Sequence, residues 1–296
     1  MFEIKELHSQ VYELLAQKVV SARKNVSNRV PRNPIVATLF PIADIHFDSK
    51  YCDKERLRAD LDKAMARDAS IIILGDLFDI MQGKNDKRGK KGDMDPKYLQ
   101  NGYINAVCKD LAEFLQPYKN NILLITEGNH ETSWRNHFES DPFDILKDKL
   151  QSDVTIFGTY TGFIRVKMLY VYTKDRTRKE DSIKTLTMYY THGSGGGNAP
   201  VTRGVIQTNR RQVDIDADIF LSGHIHQPWY VPTGRKGLTR GGHLQTKTIR
   251  HISLATYKKE DPWSQKKGFS PAIHQATFIT FSYDRSREIK VGVEIT

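Results

Sequence analysis

Five short blocks of the sequence combine carboxylate, imidazole and amide side chains with glycine. They are Asp44-Ile45-His46, Gly75-Asp76-Leu77-Phe78-Asp79, Gly128-Asn129-His130-Glu131, Thr191-His192-Gly193 and Gly223-His224-Ile225-His226. Oxygen and nitrogen donors of these kinds form a mixed ligand shell that suits Mn²⁺, Fe or Zn²⁺ better than Ca²⁺. The blocks therefore predict a transition-metal site, provided that the fold brings them together.

Each of the five blocks follows a run, either apolar or β-branched and aromatic, that predicts a strand. The runs are residues 35–42, 71–74, 122–125, 185–190 and 219–221, and helical patterns at 54–67 and 98–115 separate the first three. Alternating strands and helices predict βαβ units with parallel strands, whose ligands gather beyond the carboxyl ends of the strands. Alternate residues of an extended chain point the same way, so Asp44 and His46 should face one cleft, as should His224 and His226.

The remaining patterns predict one α/β domain with a short element in front of it. Residues 3–24 carry apolar side chains near a 3.6-residue period, which predicts an amphipathic helix before a proline-containing linker. We assign residues 1–30 to this N-terminal helix and linker, packed on the domain, and residues 31–296 to a single domain. Further predicted elements are a hairpin of strands 162–172 and 185–190, a helix at 201–213, and strands at 246–256, 273–281 and 288–295. Two facing sheets with helices outside are expected.

The composition leaves two classes of partner open. Lysine and arginine number 45 against 35 acidic residues, which gives a formal charge of +10. Such a charge favours polyanions such as nucleic acids or nucleotides, but a generally basic enzyme would carry it equally well. Cys52 and Cys108 share no metal-site spacing, which predicts reduced thiols and a cytoplasmic protein. The N-terminus is charged, and no apolar run approaches about 18 residues. We therefore expect neither a signal sequence nor a membrane span.

Taken together, the five blocks match the pattern D-x-H, G-D-x-x-D, G-N-H-E, H and G-H-x-H, and the chain resembles the calcineurin-like metallophosphoesterases. The blocks run from Asp44 to His226. In size and loop pattern the chain is most similar to stand-alone phosphoesterases of bacteria and their phages. The resemblance implies a four-layer α/β/β/α sandwich with two facing mixed sheets and a centre of two divalent transition-metal ions. Manganese is the first choice, with iron or zinc as alternatives.

The resemblance also implies roles for individual residues. Asp44, His46, Asp76 and His226 would bind the first ion, and Asp76, Asn129, His192 and His224 the second, with Asp76 bridging the two. The implied reaction is direct attack of a metal-bridging hydroxide on phosphorus, without a covalent intermediate. His130 would protonate the leaving oxygen. Asp79 would orient His130, or else act only as a turn-capping aspartate.

Departures from subfamilies narrow the substrate. Ile80 and Glu127 stand where protein Ser/Thr phosphatases carry arginines, which argues against a phosphoprotein substrate. Candidate contacts to a polyanionic phosphoester substrate are Lys84, Arg88, Arg135, Asn198 and Arg203. The sequence therefore predicts a phosphodiesterase or nuclease acting on DNA, RNA or nucleotides, without an obligate protein partner. The alternatives are a phosphomonoesterase on a small phosphorylated metabolite and a binding module that has lost its chemistry.

Overall fold

The computed structural model describes residues 1–21, 33–80, 91–138, 140–174, 177–195, 205–239, 241–266, 268–286 and 288–296. The strands are β1 (Glu3–His8), β2 (Val11–Ser21), β3 (Ile35–Ile42), β4 (Ser70–Leu74), β5 (Ile122–Thr126), β6 (Ile156–Gly158), β7 (Thr161–Lys174), β8 (Thr177–Thr191), β9 (Ile219–Ser222), β10 (Trp229–Leu238), β11 (Leu244–Ser253), β12 (Thr277–Tyr283) and β13 (Lys290–Ile295). The helices are α1 (Lys54–Ala66), α2 (Tyr103–Leu115), α3 (Asn129–Phe138), α4 (Pro142–Leu150), α5 (Val205–Asp214) and α6 (Pro262–Lys266).

The strands form two mixed sheets, as predicted. One sheet has seven strands in the order β1-β2-β7-β8-β9-β11-β10, and the other has six in the order β13-β12-β3-β4-β5-β6. Strands β3 to β6 are parallel, whereas β12 is antiparallel to both of its neighbours. The carboxyl ends of β3, β4 and β5 therefore lie along one edge, where ligands of parallel sheets gather.

Strand β4 illustrates how the core is divided between layers. Ile71 and Ile73 pack into a cluster with residues of α1, α2 and α4, whereas Ile72 and Leu74 pack into a cluster shared with the seven-stranded sheet. Because successive side chains of a strand point to opposite faces, a strand covered on both faces must be apolar throughout. The continuous apolar run in the sequence is thus explained by a helix layer on one side and a second sheet on the other.

The outer face of the seven-stranded sheet is covered more lightly. A small cluster of Ala217, Phe220 and Ile249 lies there, close in sequence to α5. Ile206 and Val213 of α5 remain exposed to solvent. The helix layer and both sheets are thus seen in these contacts, and the fourth layer of the predicted sandwich stays a prediction.

The predicted N-terminal helix is wrong, because residues 3–21 form the hairpin of β1 and β2 at one end of the seven-stranded sheet. Tyr12, Leu14 and Ala16 are buried. The apolar residues that suggested a helical period therefore follow the two-residue alternation of a strand. Strand β2 pairs in parallel with β7 along its whole length. That pairing is non-local and cannot be read from a local period. The predicted boundary between residues 30 and 31 lies outside the described residues.

Other elements differ from expectation mainly at their ends. Helix α1 is confirmed, and the Asp53 side chain caps it by accepting the backbone N–H of Arg56 at 3.2 Å. Helix α2 begins at Tyr103 rather than residue 98, because a separate 3₁₀ turn precedes it. Strand β12 begins at Thr277 instead of residue 273, and β10 was not predicted at all. Within the described part of the chain, no helix is both long and apolar enough to span a membrane.

Candidate metal centre

The backbone of five predicted ligands is left-handed. The φ angles are +53° at Asp44, +50° at His46, +49° at Asp76, +72° at His224 and +56° at His226. The expectation that Asp-x-His and His-x-His use extended backbone is therefore wrong. Each non-glycine residue in this region costs about 1–3 kcal/mol, and such residues cluster at functional sites. The strand ends are thus bent sharply to turn these side chains into the cleft.

The first ligand set consists of Asp44, His46 and His226. His46 Nε2 lies 3.2 Å from His226 Nε2, and His226 Nε2 lies 3.3 Å from Asp44 Oδ1. All three ligand atoms lie within 4.8 Å of one another. Asp44 and His46 follow β3 while His226 follows β9, so this set joins the two sheets.

The second ligand set consists of Asp76, Asn129, His192 and His224. His192 Nε2 lies 3.1 Å from Asp76 Oδ2 and 3.2 Å from Asn129 Oδ1, and His224 Nδ1 lies 2.8 Å from the same amide oxygen. Asp76 and Asn129 follow β4 and β5, whereas the two histidines follow β8 and β9. The second set is therefore also assembled from both sheets.

The two ligand sets are adjacent. His192 Nε2 lies 3.9 Å from Asp44 Oδ1 of the first set, in addition to its contact with Asp76. The structure thus brings all seven predicted ligands into one cluster. It groups the Asp76 carboxylate with His192 and His224, and the bridging role of Asp76 stays a prediction.

The donor atoms fit divalent ions. Asp44 Oδ1 is buried and accepts no hydrogen bond of good geometry, although His226 Nε2 lies 3.3 Å away, and a bound cation would satisfy it. His46 and His226 turn ring nitrogens toward each other at 3.2 Å. Two ligands on a tetrahedral ion with metal–nitrogen bonds of about 2.1 Å lie roughly 3.4 Å apart, so this spacing suits a shared ion. The oxygen and imidazole donors match Mn²⁺, Fe or Zn²⁺ and do not select among them.

The charges of the two sets differ in the absence of metal. Burial alone would lower the pKa of His192, but the carboxylates of Asp76 and Asp44 raise it to about 10. Burial would likewise raise the pKa of Asp76, yet the neighbouring His130 and His192 hold it well below its usual range. In the first set, burial lowers the pKa of His46 to about 4 despite nearby Asp79. His46 is therefore neutral and ready to bind metal, whereas His192 must first lose a proton.

His130 belongs to neither set, but it forms a third group of possible ligand atoms with His46 and Asp79, all within 4.8 Å of one another. Its Nε2 lies 3.6 Å from Asp76 Oδ2, and its Nδ1 contacts the backbone carbonyl oxygen of Asp79 at 2.5 Å. Burial opposes protonation, but the charges of Asp76 and Asp79 outweigh it and raise the pKa of His130. A buried imidazole whose pKa is raised, and of which one nitrogen is fixed by a carbonyl, is suited to donate a proton from the other nitrogen.

Asp79 supports His130 differently from the prediction. Its carboxylate lies 3.9 Å from His130 Nδ1 but only 2.9 Å from His46 Nδ1. The backbone of Asp79 therefore contacts His130, while its side chain contacts the metal ligand His46. The five-block pattern could not reveal this division, because it gives the position of the residue and not the direction of its side chain.

Two buried carboxylates that received no role from the sequence hold the loops in place. Glu131 accepts backbone N–H groups of Asp76 at 3.1 Å, of Phe78 at 3.2 Å and of Gly128 at 2.7 Å. Burial and the charge of Asp76 raise the pKa of Glu131 to about 7. Its place in the G-N-H-E block was the available signal. Glu131 thus ties the loop after β4 to the loop after β5.

Asp48 is the other supporting carboxylate. It accepts the backbone N–H groups of Asp79 at 2.5 Å and Ile80 at 3.1 Å, together with the hydroxyl of Tyr103. Burial and the nearby Asp79 raise the pKa of Asp48. Asp48 fixes the far end of the loop after β4, and only its position two residues after His46 hinted at a role.

Gly128 is required where the loops after β4 and β5 meet. A Cβ atom at this position would overlap the carboxylate and backbone nitrogen of Asp76. Any larger residue would push the predicted bridging ligand away from its partners. The glycine of the G-N-H-E block is therefore explained by close backbone approach rather than by an unusual φ angle.

Of the five predicted substrate contacts, only Arg135 lies in the described part of the chain. Lys84, Arg88, Asn198 and Arg203 lie outside the described residues. Arg135 forms ion pairs with Glu127 and, at 3.1 Å, with Asp141. Its guanidinium is thus already bound by two carboxylates, and a role in substrate binding stays a prediction.

The family comparison agrees with this geometry. Residues 40–228 match the model of the calcineurin-like phosphoesterase family. No curated protein matches the sequence. Among solved structures, an uncharacterized Streptococcus pneumoniae protein described as a predicted phosphoesterase is 10% identical, with a TM-score of 0.30 and coverage of 88% of this chain and 98% of its own.

Two further structures are similar at the same level. A Thermotoga maritima protein solved by NMR is 12% identical, with a TM-score of 0.32 and coverage of 88% of this chain and 99% of its own. A Vps29 double mutant from Entamoeba histolytica is 10% identical, with a TM-score of 0.33 and the same two coverages of 88% and 99%. The family match spans more than half of the chain and includes every block that supplies a ligand. The chain therefore belongs to the calcineurin-like phosphoesterase family and is a metal-dependent phosphoester hydrolase.

Proposed function

We propose that the protein is a phosphodiesterase or nuclease that cleaves nucleic acid with two divalent transition-metal ions. The observation that carries the proposal is the meeting of seven ligand side chains from both sheets in one cluster, with His130 beside it. The first set would hold one ion and the second set the other. When bound, a pair of such ions binds phosphate oxygens and lowers the pKa of water.

The substrate would enter from the side of the histidines that follow β9. Asp44, Asp76 and His192 are buried, whereas the side chain of His226 is 33% exposed and His224 and Asn129 are half-buried. The open face of the cluster is therefore formed by Asn129, His224 and His226. His130 would donate its proton to the leaving oxygen, and the carbonyl of Asp79 would hold its ring in place.

The charge of the chain around the site supports a polyanionic substrate. From Ile219 to Lys259 there are seven lysines and arginines and no aspartate or glutamate. This segment contains both ligand histidines after β9 and the whole hairpin of β10 and β11. Arg235, Lys258 and Lys259 pair with aspartates, so the exposed Lys236 and Lys247 would supply the attraction that draws phosphate backbones from beyond direct contact.

The outer part of this hairpin, residues 233–239 and 241–249, forms a basic ribbon. Strand β11 pairs with β9 only from Arg250 to Ser253, so the ribbon extends beyond that pairing. Lys236 and Lys247 are exposed on it. The hairpin starts at the metal end of the sheet, and Lys236 lies seven residues further, about 23 Å away at ~3.3 Å per residue. A polymer of about 7 base pairs would reach the ribbon from the metal centre, whereas a single nucleotide would not.

The proposal is tested by comparing a diester, a monoester and a polymer. We expect Mn²⁺-loaded protein to hydrolyse bis-p-nitrophenyl phosphate faster than p-nitrophenyl phosphate, and to cleave DNA or RNA. A large preference for the monoester, without cleavage of either polymer, would favour the alternative of a small phosphorylated metabolite. A loaded protein that cleaves no phosphoester at all would contradict the proposal.

The ribbon gives a sharper test of the polymer. The variant Lys236→Gln/Lys247→Gln should lower the rate on DNA relative to bis-p-nitrophenyl phosphate, and reduce the salt slope of DNA binding by about 2. The matched control is Lys147→Gln/Lys149→Gln, which removes two exposed lysines of α4 on the other face of the molecule. Equal effects of both pairs would mean that only total charge matters.

Manganese and a cytoplasmic location remain parts of the proposal. The donor shell suits manganese, and cellular supply decides among the metals that accept it. Free thiols are typical of cytoplasmic proteins. Both cysteines are free thiols, and burial raises their pKa, to about 12 for Cys52. Metal analysis of protein purified from its native source, without added metal, would identify the ion.

A further inference from the structure

We propose that Lys258 is a positioning residue for the first metal ion, acting through Asp79 on His46. The Lys258 ammonium lies 3.1 and 3.0 Å from the two carboxylate oxygens of Asp79. Asp79 Oδ1 in turn lies 2.9 Å from His46 Nδ1. The opposite ring nitrogen, His46 Nε2, is the atom that faces His226 in the first ligand set. The chain of contacts thus leads from the ammonium to the ligand atom.

The position of Lys258 is fixed by the same loop that carries the ligand. The hydroxyl of Thr256 donates to the Asp44 carbonyl oxygen at 2.9 Å, and the N–H of Tyr257 donates to it at 3.0 Å. Lys258 donates its own N–H to the Thr256 hydroxyl at 3.0 Å. Asp261 binds the ammonium from the other side at 3.2 Å. Only 11% of the side chain is exposed, so the ammonium has little freedom to leave Asp79.

A cation is needed at this point because carboxylates crowd it. Asp44, Asp48, Asp76, Asp79 and Glu131 are all buried around the two ligand sets. Without a cation beside it, the Asp79 carboxylate would be free to rotate, and it could no longer fix the ring of His46. Lys258 therefore holds the carboxylate at both oxygens, with one oxygen directed at His46.

The proposal gives Lys258 an effect on metal binding at the first ligand set and none at the second. Each set is isolated by disabling the other: His224→Gln leaves the first set, and His226→Gln leaves the second. Lys258→Met keeps the length of the side chain and removes its charge. The matched control is Lys259→Met, since Lys259 is the next residue, is 57% exposed and pairs with Asp53 instead.

Mn²⁺ titration followed by electron paramagnetic resonance measures the effect. In the His224→Gln background, Lys258→Met should weaken Mn²⁺ binding by roughly 10- to 100-fold, the usual effect of losing a residue that orients a ligand. In the His226→Gln background it should change binding by less than about 2-fold. Lys258→Arg, which keeps the charge, should recover most of the lost affinity, and Lys259→Met should have no effect in either background.

A second readout needs no metal. In the metal-free protein, ¹⁵N spectra of histidine side chains should place the His46 hydrogen on Nδ1, facing Asp79, and His46→Gln identifies the signal. Lys258→Met should convert this signal to a mixture of tautomers. Circular dichroism checks that the variants are folded, and Lys258→Gln, which also removes the charge, serves in place of Lys258→Met if the latter is not.

Three results would overturn the proposal. They are unchanged Mn²⁺ binding in the first set, equal weakening of both sets, and a His46 tautomer that is the same with and without the Lys258 charge. The proposal rests on the ligand sets and not on the choice of substrate. A protein that binds Mn²⁺ as described but cleaves no nucleic acid would refute the proposed function and leave the role of Lys258 standing.

Discussion

The two ligand sets are built from the same kinds of residue but are supported in different ways. In the first set, the ring of His46 contacts a charged side chain, Asp79, which Lys258 binds from behind. In the second set, Asp76 and its loop are held by backbone hydrogen bonds to Glu131 and by the N-terminus of α3, where the N–H of His130 donates to Asp76 Oδ1 at 3.1 Å.

This difference has a consequence for the ions. The first set has a neutral His46 and a partly exposed His226, so an ion can bind there without displacing a proton from His46. The second set is buried around an ion pair of Asp76 and His192, and an ion must replace the proton of His192. We therefore expect binding at the second set to depend more steeply on pH.

The largest effect is expected from removing the negative charge of Asp76, which contacts His192 of the second set and His130 beside it. Asp76→Asn keeps the shape of the side chain but removes the carboxylate that pairs with His192. If Asp76 bridges the ions, both should bind at least about 100-fold more weakly, and hydrolysis should be abolished. Metal content after gel filtration measures the stoichiometry. Loss of only one ion would show that the two sets do not share this ligand.

His130→Ala should separate chemistry from metal binding. Because His130 contacts Asp76 and Asp79 but joins neither ligand set, both ions should remain bound. Turnover of a substrate with a poor leaving group should fall by roughly 10²- to 10⁴-fold, the usual contribution of a positioned acid. A substrate with p-nitrophenolate as its leaving group should be affected less. Loss of metal from this variant would contradict the separation.

The pH dependence of the metal-free protein tests the second set. The folded pKa of His192, about 10, is raised above its ordinary value of 6.5. Its contribution to stability is therefore fully present below pH ~6.5 and is lost as the pH rises through about 10. We expect the melting temperature of the metal-free protein to fall across this window and the fall to be smaller in His192→Gln. Mn²⁺ affinity should rise with pH over the same window in the native protein.

The smallest effect concerns backbone strain in the first set. His226 has a φ of +56°, which glycine adopts more readily than alanine. The metal-free variant His226→Gly should therefore unfold with a free energy about 1 kcal/mol higher than His226→Ala. Urea denaturation of the two variants measures the difference. A lower value for the glycine variant would mean that the loop relaxes once the imidazole is absent.

The sequence was sufficient for the elements whose patterns are local. The apolar runs of β3, β4 and β5 were predicted because a strand buried on both faces is apolar at every position. Helix α1 was predicted because its apolar residues recur at helical spacing. The ligands were found because each follows such a run, and the carboxyl ends of parallel strands share one edge.

The features that could not be predicted depend on contacts between residues far apart along the chain. Strand β2 is fixed by its pairing with β7, and its apolar spacing suits a helix almost as well. The left-handed turns at the ligands are imposed by the loops around them, since neither aspartate nor histidine prefers that backbone. Lys258 stands far from the five blocks in the chain and carries no motif, so only the folded structure connects it with Asp79.

β3 lies between β4 and β12 in its sheet, so both of its edges are paired only after β12 has been synthesised. β3 leads into the first ligands, but its antiparallel neighbour β12 is formed by residues 277–283 and is therefore made much later. Lys258 is also made late. A nascent chain therefore carries an unpaired, apolar edge on β3 until β12 has been made, and non-local pairing of this kind is slow and open to aggregation. The support of Asp79 by Lys258 likewise forms only after that lysine has left the ribosome.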